Sequence, residues 1–102
     1  MYDPEQRRSY LQAAAERHLI EGLKLMGVDE EELGKLPKGD ERKLLLAGWI
    51  KTNFLVSSAW LSQRLCMGHR SRMSQAPKFY NNPPPELRRQ KAKLAQMLTL
   101  SG

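Results

Sequence analysis

The chain has 102 residues, 40% hydrophobic and 27% charged, with a formal net charge of +6. That length holds one domain with a modest core, and the composition is that of a folded domain, not a disordered segment. A single cysteine excludes an internal disulfide framework. No apolar run approaches the ~20 residues of a membrane span, and the N-terminus lacks the apolar segment of a signal peptide. A cytoplasmic protein with no membrane partner is expected.

The charge is unevenly placed. Residues 1–40 hold six Lys/Arg against nine Asp/Glu, a balance of −3, whereas residues 41–102 hold eleven against two, a balance of +9. From Arg42 to Pro85 there is no carboxylate, and seven basic residues fall in that window: Arg42, Lys43, Lys51, Arg64, Arg70, Arg72 and Lys78. A cationic face without acids attracts polyanions, because a carboxylate among phosphate contacts repels them. The competing reading is a solvated cationic surface.

Asp3-Pro4-Glu5 predicts a helix start, with an N-cap acid, proline at the first helical position and an acid in the first turn. Leu11, Ala15, Leu19, Leu23 and Met26 then recur at helical spacing, widened by Tyr10, Ala14 and His18, until Gly27 stops the helix. A short helical turn from Glu30 to Leu33 leads into a connection punctuated by Gly34, Pro37 and Gly39. Asp40 is an N-cap for a third helix, ERKLLLAGWIKTN, whose continuous apolar run from Leu44 to Ile50 predicts the most buried element. Ser57 or Ser58 caps a fourth helix, SAWLSQRLCM, and after Gly68 a fifth starts near His69. Pro77 is expected to end or bend that helix, since an interior proline loses a hydrogen bond and clashes with the preceding turn. Asn81-Asn82-Pro83-Pro84-Pro85 predicts a stiff extended spacer. A last helix runs from Glu86 to about Leu98, with Leu87, Leu94 and Leu98 on one side. The fold class is therefore all-α: a helical bundle containing a helix-turn-helix, preceded by a long amphipathic helix. Residues 1–39 form the bracing helix and acidic loop, 40–80 the helix-turn-helix core, and 81–102 the spacer and a basic helix.

The segment LCMGHRSRMS, residues 65–74, carries the functional signal. Leu61 and Leu65 face a partner helix, Met67 plugs the turn, and Met73, Ala76 and Tyr80 give the next helix a thin apolar stripe. Its opposite face carries His69, Arg70, Arg72, Gln75 and Lys78. Arginine and glutamine present paired groups that match guanine and adenine edges in the major groove. Ser71, and Ser57 or Ser58 at the start of the preceding helix, are placed to donate to phosphates, and Arg64, Lys51 and Lys78 to neutralise them. The rival for Cys66 and His69 is a catalytic or metal-binding pair. A nucleophilic cysteine wants a helix N-terminus and an orienting third group, and two ligands are too few for zinc. Cys66 is read as a small turn residue. Trp49 and Trp60 lie in apolar stripes and are read as core residues, not base-stacking platforms.

Taken in order, Leu36 to Lys43, Trp60 to His69 and Arg70 to Ser74 make residues 15–76 resemble the C-terminal region of the REP-associated tyrosine transposases, a bacterial family. There a Leu-Pro-Lys-Gly-Asp-x-Arg-Lys segment leads into an apolar helix, followed by Trp-x-x-x-Arg-Leu-x-Met-Gly-His and a serine-rich recognition helix. The resemblance implies a DNA-binding domain acting in transposition and associated with the nucleoid. The family's chemistry belongs to an upstream domain with a His-hydrophobic-His metal motif and a nucleophilic tyrosine. This chain has only His18 and His69, so no enzyme activity, metal or cofactor is implied for it. The rival from another class is a protein–protein module or homodimer formed through the N-terminal helix, which needs Leu11, Leu19 and Leu23 exposed.

Overall fold

The computed structural model describes the chain from Pro4 to Ser101 except His69; the side chains of residues 4–6, 70–71 and 99–101 are also outside that description. The described residues form α1 (Pro4–Met26), α2 (Glu30–Lys35), α3 (Glu41–Asn53), α4 (Ser58–Arg64), α5 (Ala76–Asn81) and α6 (Arg88–Ser101), with 3-10 turns at Arg70–Ser74 and Pro85–Leu87. No strand occurs among them. The expected cap Asp3 lies outside the described residues.

Apolar spacing decides what is buried. Ala15, Leu19 and Leu23 of α1 pack onto α3, where Leu45, Leu46, Ala47, Trp49 and Ile50 are all essentially inaccessible. The expectation for α3 as the most buried element holds. Tyr10 does not join the stripe of α1; it is 69% exposed. His18 does join it, half-buried, with its ring 5.0 Å from Phe54 and 6.4 Å from Trp49. The dimer reading loses its surface here, because Leu19 and Leu23 are consumed by the chain's own core.

Two helix ends share one hydrogen-bond pattern. After α1, Gly27 N–H donates to Lys24 O at 3.1 Å and Val28 N–H to Leu23 O at 2.9 Å. After α4, Cys66 N–H donates to Gln63 O at 3.2 Å and Met67 N–H to Ser62 O at 2.9 Å. Both are Schellman closures with a left-handed residue at the pivot: Gly27 at φ 70° and Cys66 at φ 56°. Helix α4 accordingly stops at Arg64, short of the Met67 expected from the sequence. Its start is as expected, with Ser57 Oγ accepting from Trp60 N–H at 3.0 Å.

The segment after Gly68 differs from the expected single helix. It is a 3-10 turn over Arg70–Ser74, a break at Gln75, and then the six-residue α5. Pro77 lies in the first turn of α5 instead of ending a longer helix, because proline there forfeits an N–H that has no partner anyway. Helix α5 crosses α3 at backbone contact: a Cβ on Gly48 would meet the Ala76 carbonyl and stand 2.5 Å from Tyr80 Cβ. The prolines do not make an extended spacer either. Pro83 is buried and Pro85–Leu87 turns the chain back, so that Leu94 of α6 is fully buried in the core and α6 lies against α1 and α3.

Candidate nucleic-acid interface

The 3-10 turn and α5 present one buried and one exposed edge. Met73, Ala76 and Tyr80 are 3%, 0% and 7% exposed, as the spacing predicts. Arg72, Gln75 and Lys78, every third residue, are exposed. Arg72 and Lys78 make no ion pair among the described residues. Burial of Tyr80 pushes its phenol up from the usual value, and Lys91 Nζ sits 5.2 Å over its ring while donating to Asn81 O at 3.1 Å. His69 lies outside the described residues, as do the side chains of Arg70 and Ser71, whose backbone begins the 3-10 turn.

The other sequence candidates are placed elsewhere. Arg64, expected at phosphates, is turned inward to two acids. Its Nε and Nη2 donate to Glu16 at 2.6 and 2.7 Å, and Nη1 and Nη2 to Glu30 at 3.0 and 2.6 Å. These contacts bind α4 to α1 and α2 and raise the Arg64 pKa, Glu16 being the largest cause. A doubly paired guanidinium has few donors left for a phosphate. Lys51 is half-buried and donates to Val56 O at 3.0 Å, tying the end of α3 to the loop before α4. Ser57 borders a cleft with Arg7, Arg8, Leu11, Gln12 and the 76%-exposed Leu55. Ser58 is half-buried beside it in the first turn of α4.

Lys43 is the largest departure from the charge count. It is 1% exposed, and its ammonium donates to Cys66 O at 2.9 Å and to Leu36 O at 3.2 Å. Burial lowers its pKa, against the opposing pull of Cys66 and Asp40. A buried ammonium persists where carbonyls replace its water, and here they come from the turn after α4 and the loop before α3. Lys43 is thus a tie and no surface cation. Its neighbour Arg42 is likewise engaged, donating to the Asp40 carboxylate at 3.2 and 3.3 Å while its backbone N–H takes the cap bond at 2.9 Å. Burial pushes the Asp40 carboxyl up, but the Arg42 hydrogen bonds outweigh it and leave the pKa below the usual value.

The structure also brings in Lys38, which lies outside the basic window from Arg42 to Pro85. Lys38 crosses from the loop before α3 to the turn, its stem 2.6 Å from where a Cβ on Gly68 would stand. No local pattern announces this contact, since Lys38 and Gly68 lie 30 positions apart. No group of three or more metal-ligating side chains occurs among the described residues, and no described helix is long and apolar enough to cross a membrane.

Comparison finds no match. Neither family models, nor curated proteins, nor solved structures match this chain.

Proposed function

We propose that the exposed edge of the 3-10 turn and α5 is a DNA-binding surface, and that the chain is the accessory DNA-binding part of a transposase-like protein. The observation that carries the reading is the separation of chemistry across residues 72–80: Met73, Ala76 and Tyr80 buried, Arg72, Gln75 and Lys78 exposed. No acid occurs between Arg42 and Pro85 to oppose a phosphate backbone. The ordered Leu36–Lys43, Trp60–His69 and Arg70–Ser74 segments supply the transposase-like part of the reading. His69, Arg70, Arg72 and Gln75 are assigned to the groove, and Lys78, with Ser71, to phosphates. Arg64 is dropped from that set because of its acidic partners.

The test is fluorescence anisotropy of random-sequence duplex and single strand, titrated with salt. Duplex preference is expected, with a log–log slope of ~0.9 per phosphate contact. Arg72→Ala should cost about 1–3 kcal/mol on a selected site, whereas Lys78→Ala should weaken all duplexes alike. The second reading, a protein–protein module, is favoured by the exposed Leu55 beside Arg7 and Arg8. It gains if neither strand binds at low salt.

A further inference from the structure

The loop before α3 and the turn after α4 meet at two glycines, and each glycine is covered by a cation from the other segment. A Cβ on Gly39 would stand 2.7 Å from Arg72 Nη1, and a Cβ on Gly68 would stand 2.6 Å from Lys38 Cδ. The absence of both side chains is what lets the Arg72 guanidinium and the Lys38 stem lie across the junction. Beneath it, Lys43 fastens the same two segments through Leu36 O and Cys66 O.

Three cationic side chains therefore converge on one junction. Like charges repel, and the cost is ordinarily offset by an acid nearby. The nearest carboxylate in sequence is Asp40, but its two oxygens receive the Arg42 guanidinium and backbone N–H. Lys38 and Arg72 are exposed and make no ion pair among the described residues. The repulsion is felt inside: after burial, the charge of Lys38 is a further cause of the lowered Lys43 pKa. A site of this kind is short of one negative charge at its surface.

We infer that Lys38 and Arg72, brought across Gly39 and Gly68, form a two-cation clamp for a single backbone phosphate of duplex DNA. The loop before α3 thereby becomes part of the binding surface, a wing beside the 3-10 turn. The inference rests on the DNA-binding reading, adds to it a contact from outside residues 57–78, and moves Arg72 from the groove to the backbone, so that under the clamp Arg72→Ala weakens all duplexes alike, as Lys78→Ala does. Arginine supplies a planar fork and lysine a compact point charge, a pairing that holds one phosphate from two sides.

The experiment compares wild type, Lys38→Met, Lys38→Arg and Lys24→Ala on a fluorescein-labelled random-sequence duplex over a salt series. Methionine keeps the stem over Gly68 and removes only the charge; Lys24, exposed on α1, controls for net charge. The clamp predicts that Lys38→Met flattens the log–log slope by about one contact, ~0.9, so that an about fourfold rise in salt costs it about 3.5-fold less affinity than wild type. Lys38→Arg should restore the slope, and Lys24→Ala should leave it within error of wild type. If wild type binds duplex and Lys38→Met matches Lys24→Ala, the clamp is overturned and the DNA-binding reading survives. If wild type binds no duplex at low salt, both are overturned. Unchanged thermal melting of Lys38→Met confirms that the slope reports charge and not folding.

Discussion

The two halves of α3 hold the rest of the chain by different physics. At its start Lys43 and the N-cap Asp40 hold their neighbours through charge and hydrogen bonds, to Leu36 O, Cys66 O and Arg42. Further along, Gly48 holds α5 by bare approach of backbone to backbone. The first kind of contact depends on charge and so responds to pH. The second is indifferent to pH and intolerant of a single methyl group.

The largest expected effect breaks the second kind. Gly48→Ala places a Cβ against the Ala76 carbonyl and 2.5 Å from Tyr80 Cβ; backbone cannot move aside as a side chain can. A loss of about 3 kcal/mol or more is expected in urea unfolding. A loss under 1 kcal/mol would mean that α5 can lift off α3 at little cost. Lys43→Met comes next. It keeps volume but leaves Leu36 O and Cys66 O without their donor, a cost of about 1–3 kcal/mol after the relief of a buried charge. An unchanged midpoint would show that water replaces the ammonium.

Asp40→Asn sharpens the comparison through pH. The folded-state pKa of Asp40 lies below its unfolded value of 3.8, so its charge contributes stability fully above 3.8, and loses it as pH falls through the lowered folded value. Wild type should therefore exceed Asp40→Asn near neutrality, and the gap should close below pH 3.8. Gly48→Ala should show the same deficit at every pH where both fold. Cys66→Gly has the smallest effect and the opposite sign. Relief of the left-handed cysteine, roughly 1–2 kcal/mol, is partly offset by the entropy of glycine, roughly 0.5–1 kcal/mol. A rise in melting temperature equivalent to a few tenths up to about 1 kcal/mol is expected.

What was legible in the sequence was whatever depends on neighbours a few positions away. The Asp40 cap, a cap at Ser57 or Ser58, the Gly27 stop and the Met73-Ala76-Tyr80 stripe follow from spacing and capping chemistry alone. Lys43, Arg64 and Pro77 were misread for one shared reason. Cys66 O lies 23 positions from Lys43, and Glu16 lies 48 from Arg64; no local pattern announces partners at that range, so both cations read as surface charge. Pro77 falls in the first turn of α5 because the 3-10 turn has already broken the helix, an outcome of packing against α3 and α4. Of the candidate site, the exposed edge of residues 72–78 was legible, and the contribution of Lys38 from across the fold was not.

The brevity of α5 has a consequence for how this protein opens. Six residues with a proline in the first turn do not hold a helix in water, where isolated helices need roughly 12–15 residues even when rich in alanine. Its amides are protected only while the Gly48 crossing is closed, and that crossing joins segments separated by the whole of α4 and the turn after it. In native-state hydrogen exchange, Phe79 N–H and the cap amide of Asn82, bonded to Gln75 O and Lys78 O, should exchange together, at the free energy of unfolding the entire domain. The amides in the N-terminal turns of α1, around the exposed Arg8 to Tyr10, should exchange far sooner by local fraying. Short as it is, α5 is not the loosest part of this chain.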